Sequence, residues 1–103
     1  MATVGAMSIA GGGLVSGWAA NDLDHSFPAQ LNARQTVTIL GDGVILGRVL
    51  AQLHNTDSVA DGFDAEHGFE FQIPSAFLDG VTVHKIQAAA YDGVFASRTG
   101  VLS

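Results

Sequence analysis

The sequence predicts an all-β domain: an antiparallel two-sheet β-sandwich of immunoglobulin-like form, with about seven to eight strands. Three observations predict it. Apolar and polar residues alternate at a period of two, and no stretch carries the 3.6-residue stripe of a helix. Glycine and aspartate punctuate that alternation at short intervals, with 13 glycines in 103 residues. Finally, the runs between these breaks are short, as in a sandwich of many brief strands.

Taken in order, the first strand covers about residues 3–9, with Val4, Met7 and Ile9 as its apolar positions. This start lacks a basic n-region and so reads as a strand rather than a signal peptide. A second strand over about 13–20 carries Trp18, the only tryptophan, expected in the core by the burial habits of large aromatics. In Gln35-Thr36-Val37-Thr38-Ile39 the valine and isoleucine point inward and the threonines outward. Leu40-Gly41-Asp42-Gly43 then makes a Gly-rich hairpin turn. The run Val44 to Ala51 is apolar on both faces, which predicts a central strand. Phe69, Phe71 and Ile73 share a buried face, and Pro74 to Gly80 reads as a capped helical link with Ser75 at its start. Ile86, Ala88 and Ala90 define the next strand, and a last one spans about 94–99. Val37, Ile39, Phe69, Phe71, Ile86 and Ala88 are expected to face one interior.

Two connections are longer and more polar than hairpins, Asn21 to Arg34 and Leu53 to Gly68. The second is expected to hold a helical turn capped by Thr56 or Asp57. Long connections in small domains are often functional. No repeat or linker divides the chain, so residues 1–103 read as one module, a length typical of a single domain.

Composition excludes several function classes. Ten Asp+Glu against four Lys+Arg give a net charge of −6. Nucleic-acid binding and docking on anionic lipid both need a basic face, so neither partner is expected. Without cysteine there is no disulfide scaffold and no thiolate metal site. No run approaches the ~18 apolar residues of a bilayer-spanning helix, so no membrane insertion is expected. None of this assigns a compartment.

Four pieces of the chain carry a family resemblance: Val15-Ser16-Gly17-Trp18-Ala19, Val37 to Gly43, Asn55-Thr56-Asp57, and His67-Gly68-Phe69-Glu70-Phe71-Gln72-Ile73-Pro74. In order and spacing they resemble a family of small bacterial β-sandwich modules that accompany glycosyltransferases and other proteins of surface-polysaccharide metabolism. The resemblance covers about residues 13–92, and the GWA and HGF…P elements are its more specific parts. Two positions depart from the family pattern. Asn55 stands where the family usually has an arginine, two residues before the loop aspartate. Asn21 and Asp22 compete for the acidic position that usually follows GWA. The resemblance implies a noncatalytic, carbohydrate-associated module that binds or positions a polysaccharide or oligosaccharide, beside a neighbouring catalytic domain or protein. The alternative is a structural spacer or protein-interaction sandwich with no sugar site.

Sugar binding calls for planar polar groups beside an aromatic ring. The two long connections hold those types. Asp22, Asp24, His25, Asn55, Asp57 and Asp64 are the candidate polar contacts, and Phe27 and Phe63 the candidate platforms. The rival reading makes Asp57 a cap of backbone N–H groups and Phe27, Phe63 and Phe95 loop anchors. No calcium-loop pattern organises these carboxylates. His25, His54, His67 and His84 lack the helical spacing of zinc ligands, and His67 and His84 read as packing or bonding at strand edges. No nucleophile elbow occurs, and Gly11-Gly12-Gly13 precedes a strand rather than a helix, so it cannot cradle phosphate. Neither catalysis nor a metal or other cofactor is expected.

Overall fold

A computed structural model describes residues 3–21, 35–55, 67–91 and 93–103, Asn21 by its backbone alone. Among these residues seven strands form in chain order. They are β1 (Thr3–Ile9), β2 (Leu14–Asn21), β3 (Thr36–Gly41), β4 (Val44–Leu50), β5 (Gly68–Gln72), β6 (Val83–Ala90) and β7 (Gly93–Val101). All pairings are antiparallel. One sheet runs β1-β2-β5 and the other β4-β3-β6-β7. The two pack face to face as a β-sandwich. In the constant-type immunoglobulin order the fourth strand joins the sheet of the first, second and fifth; here it pairs with the third.

The core lies where the alternation puts it. Val37, Ile39, Phe69, Ile86 and Ala88 are fully buried together with Val15, Ala19 and Ile73, and Phe71 is half-buried against them. Phe69 meets Phe95 edge-on across the interior, ring centroids 6.2 Å apart at 81°. Phe71 lies over Gly47 of the opposite sheet, where an added Cβ would sit 2.6 Å from the ring. The absent side chain lets the sheets close there.

The turn between β3 and β4 is a two-residue hairpin with Asp42 at φ 52° and Gly43 at φ 85°. Positive φ at both residues defines the turn that matches strand twist and favours an Asp-Gly pair. Between β5 and β6, Ser75–Phe77 forms a single 3-10 turn, entered from Pro74 and without a side-chain cap. Ser75 thus starts the helical link, as expected, but does not cap it.

Three further expectations are corrected. The apolar run of β4 is an edge strand rather than a central one. Val44, Ile45 and Leu50 remain 63%, 50% and 42% exposed, and β3 is the one described strand that pairs with β4. Phe95 is a strand residue of the core rather than a loop anchor. The β6–β7 register jumps between Ala88 and Ala89, pairing Ala88 with Ala96 and Ala89 with Val94, so Phe95 is the extra residue of a bulge. A bulge re-aims a side chain, and both Phe95 and Ala96 consequently reach the core. The β3–β4 register shifts in the same way, leaving Leu46 unpaired and turned against the core. Lastly, Trp18 is 4% exposed but does not join the inter-sheet core; it forms a separate cluster with Ala20 and Val4. Val15 and Ala19 take the inner face of β2, so alternation sends Trp18 and Ala20 to its outer face. There the register sets Trp18 between the small residues Ala6 and Gly68.

Candidate functional site

Of the loop residues expected to contact a ligand, only Asn55 lies among the described residues. Asp22, Asp24, His25, Phe27, Asp57, Phe63 and Asp64 lie outside them, as does the helical turn expected at Thr56 or Asp57. Asn55 is half-buried, and its Nδ2 donates to the Gly17 carbonyl at 3.0 Å. Leu53 pairs with Gly68 through reciprocal backbone bonds of 2.8 and 2.6 Å. Residues 53–55 are thereby anchored to the three-stranded sheet.

The described surface offers a different grouping on the four-stranded sheet. Alternation sends Thr36 and Thr38 outward from β3, since Val37 and Ile39 are buried. The β3–β6 register pairs Thr38 with Ala89. Continued in the antiparallel sense, it brings Tyr91 across from Thr36. Gln35, Thr36, Thr38, Ala90 and Tyr91 line a shallow groove of about 350 Å³. Tyr91 is 68% exposed, and its ring stands on the groove with two hydroxyls and an amide. Each of these groups can both donate and accept a hydrogen bond. The lining carries no charge. Tyr91 follows a strand of small residues and shows no alternation of its own, and its closeness to Thr36 depends on strand pairing. For both reasons the sequence reading missed it.

A second constellation joins the β3–β4 turn to β6. The Asp42 Oδ1 accepts the Lys85 N–H at 2.9 Å, its Oδ2 lies 2.6 Å from His84 Nδ1, and its own N–H donates to the Lys85 carbonyl at 2.9 Å. The Lys85 N–H, then the His84 hydrogen bond, hold the Asp42 carboxyl below the usual aspartate range. With Nδ1–H donating to the carboxylate, the His84 Nε2 faces inward, buried and without a hydrogen-bond partner among the described residues. The Phe77 ring packs on the imidazole with centroids 4.9 Å apart. Together these bonds latch the β3–β4 turn to β6. His67, fully buried just before β5, carries backbone duty as well, its carbonyl accepting the Ala19 N–H at 2.9 Å. Among the described residues no cluster of three metal-ligating side chains occurs, and no helix is long and apolar enough to cross a membrane.

Fold and groove together define a small β-sandwich with a polar, aromatic-flanked sheet face. Compared with protein-family models, with curated proteins and with solved structures, the chain matches none.

Proposed function

We propose that the domain is a noncatalytic module that binds or positions a polysaccharide, and that the Tyr91 groove is its ligand surface. The observation that carries this reading is the grouping of Tyr91 with Thr36, Thr38 and Gln35 around an uncharged groove. A pyranose presents an apolar C–H face and a rim of hydroxyls. The phenol ring suits the first, while the threonine hydroxyls and glutamine amide suit the second. The volume of about 350 Å³ sits at the small end of ligand sites, roughly 300–1,000 Å³, in keeping with one or two sugar units on a longer chain. The loop residues Asp22, Asp24, His25, Phe27, Asp57, Phe63 and Asp64 are the competing candidates from the sequence.

Tyr91→Ala separates the two surfaces. Because Tyr91 is largely exposed, the variant should melt within about 2 °C of the parent while losing roughly fivefold in affinity for a neutral oligosaccharide. A stacked aromatic is worth on the order of 1 kcal/mol, which corresponds to a loss of that size. Amide shifts should cluster at 35–38 and 89–91. Shifts confined to 22–34 and 56–66 would return the ligand to the connections, and no response to any glycan would end the polysaccharide reading.

A second reading, a protein-interaction sandwich, is favoured by the edge strand β4. Its Val44, Ile45 and Leu50 are exposed, and no other described strand pairs with its outer side; such edges recruit partners by strand addition.

A further inference from the structure

On the flank of the sandwich, between the edge strands β1 and β7, lies a cleft of about 260 Å³ lined by Ser8, Ile9, Arg98, Thr99, Gly100 and Leu102. Arg98 is the unusual residue there. It pairs directly across from Ile86, which is fully buried, so its side chain leaves β7 on the core side, yet Arg98 itself is exposed. An arginine at such a position must run its stem along apolar surface and bring its guanidinium out at the edge. Here Ile9 and Leu102 supply apolar lining, and the guanidinium comes out beside β1, where Nη2 donates to the Met7 carbonyl at 3.3 Å. That is its one hydrogen bond among the described residues, and no described carboxylate pairs with it, although the chain carries ten Asp+Glu against four Lys+Arg. A guanidinium has five N–H donors in a planar fork suited to a carboxylate. The other donors have no partner among the described residues, and Arg98 lines the cleft together with Ile9 and Leu102.

We propose that this cleft seats the carboxylate of a uronic-acid unit, with the Arg98 fork on the carboxylate and the sugar ring against the apolar lining of Ile9 and Leu102. The choice of a sugar as carrier rests on the polysaccharide reading above. The net charge of −6 repels a densely charged polyuronate. A single cation suits a chain with isolated uronates among neutral sugars.

The test is an amide-shift titration of the whole chain with glucuronate, with glucose, and with a neutral oligosaccharide. Glucuronate should move Ser8 and Arg98 to Gly100, and glucose should not. Arg98→Gln should weaken glucuronate binding by at least about tenfold, the scale of a lost charge-assisted hydrogen bond. An added Cβ at Gly100 meets nothing within 4 Å, so Gly100→Val should keep the melting temperature while filling the cleft and abolishing the response. If Arg98→Gln fails to fold, Gly100→Val decides. No shift at the cleft with glucuronate, or an unchanged response in Gly100→Val, overturns the proposal. If the neutral oligosaccharide engages the Tyr91 groove and glucuronate leaves the cleft untouched, the cleft fails and the polysaccharide reading stands. If glucuronate engages the cleft while no oligosaccharide engages the groove, the uronate site stands and the groove fails.

Discussion

Asp79 illustrates how a single exposed side chain organises the entry to β6. Its Oδ1 accepts the N–H groups of Val81 and Thr82 at 3.0 and 2.9 Å, and its Oδ2 accepts the Thr82 hydroxyl at 2.5 Å. The Thr82 hydroxyl first, then these backbone donors, lower its pKa from the ordinary 3.8 to about 2. A carboxyl whose folded pKa is depressed binds its proton more readily in the unfolded chain. Its stabilisation is therefore complete above about pH 4–5 and is lost as the pH falls toward 2. Asp79→Asn keeps an acceptor for the backbone N–H groups but removes the charge. The parent should melt above the variant at pH 6, and that gap should close between pH 4 and pH 2. A gap that stays constant across this range would assign the effect to the hydrogen-bond geometry instead. The sequence marks Gly80 as a link end, but nothing local identifies Asp79 as the residue that braces it.

Among the strands, β4 carries the clearest liability. An edge strand with exposed Val44, Ile45 and Leu50 is a template for another chain, and Arg48 is the only charge on it. A cation on an edge opposes stacking by desolvation and by repulsion between copies. Arg48→Val should therefore raise self-association, seen as an earlier elution volume and increased light scattering at equal concentration, with little change in melting temperature. A variant that stays monomeric up to the solubility limit of the parent would show that this edge is protected in some other way. Bulges decide the remaining strand-level surprises. Leu46 and Phe95 each stand as the extra residue in their pairing and each turn against the core. A strict period of two places neither of them there.

In the whole molecule the sheets cohere through a few large contacts, above all Phe69 against Phe95 and Phe71 over Gly47. Phe69 is fully buried. Phe69→Ala should cost about 3–5 kcal/mol, the usual range for emptying such a site, a large share of a small domain's stability. Trp18 reports on the outer face of the three-stranded sheet, away from that contact. If the sandwich unfolds as one unit, Trp18 emission and far-ultraviolet circular dichroism will give the same urea midpoint in parent and variant. Separated midpoints in the variant would mean that each sheet keeps its own stability once the Phe69 contact is gone.

The sequence by itself determined what depends on neighbours in the chain. Alternation located all seven strands and the inward faces of β3 and β5. The Asp42-Gly43 pair marked its hairpin because the turn's positive φ angles select those residue types. Only the tertiary structure decided which strand lies at an edge, where the two registers slip, and that Trp18 is buried outside the main core. It also brought Tyr91 beside Thr36 and carried Arg98 to the flank between the sheets. The physical reason is range. Burial periodicity and turn chemistry are set within a few residues, whereas pairing order and sheet contact join residues far apart in the chain, and these contacts alone assemble the two candidate ligand surfaces.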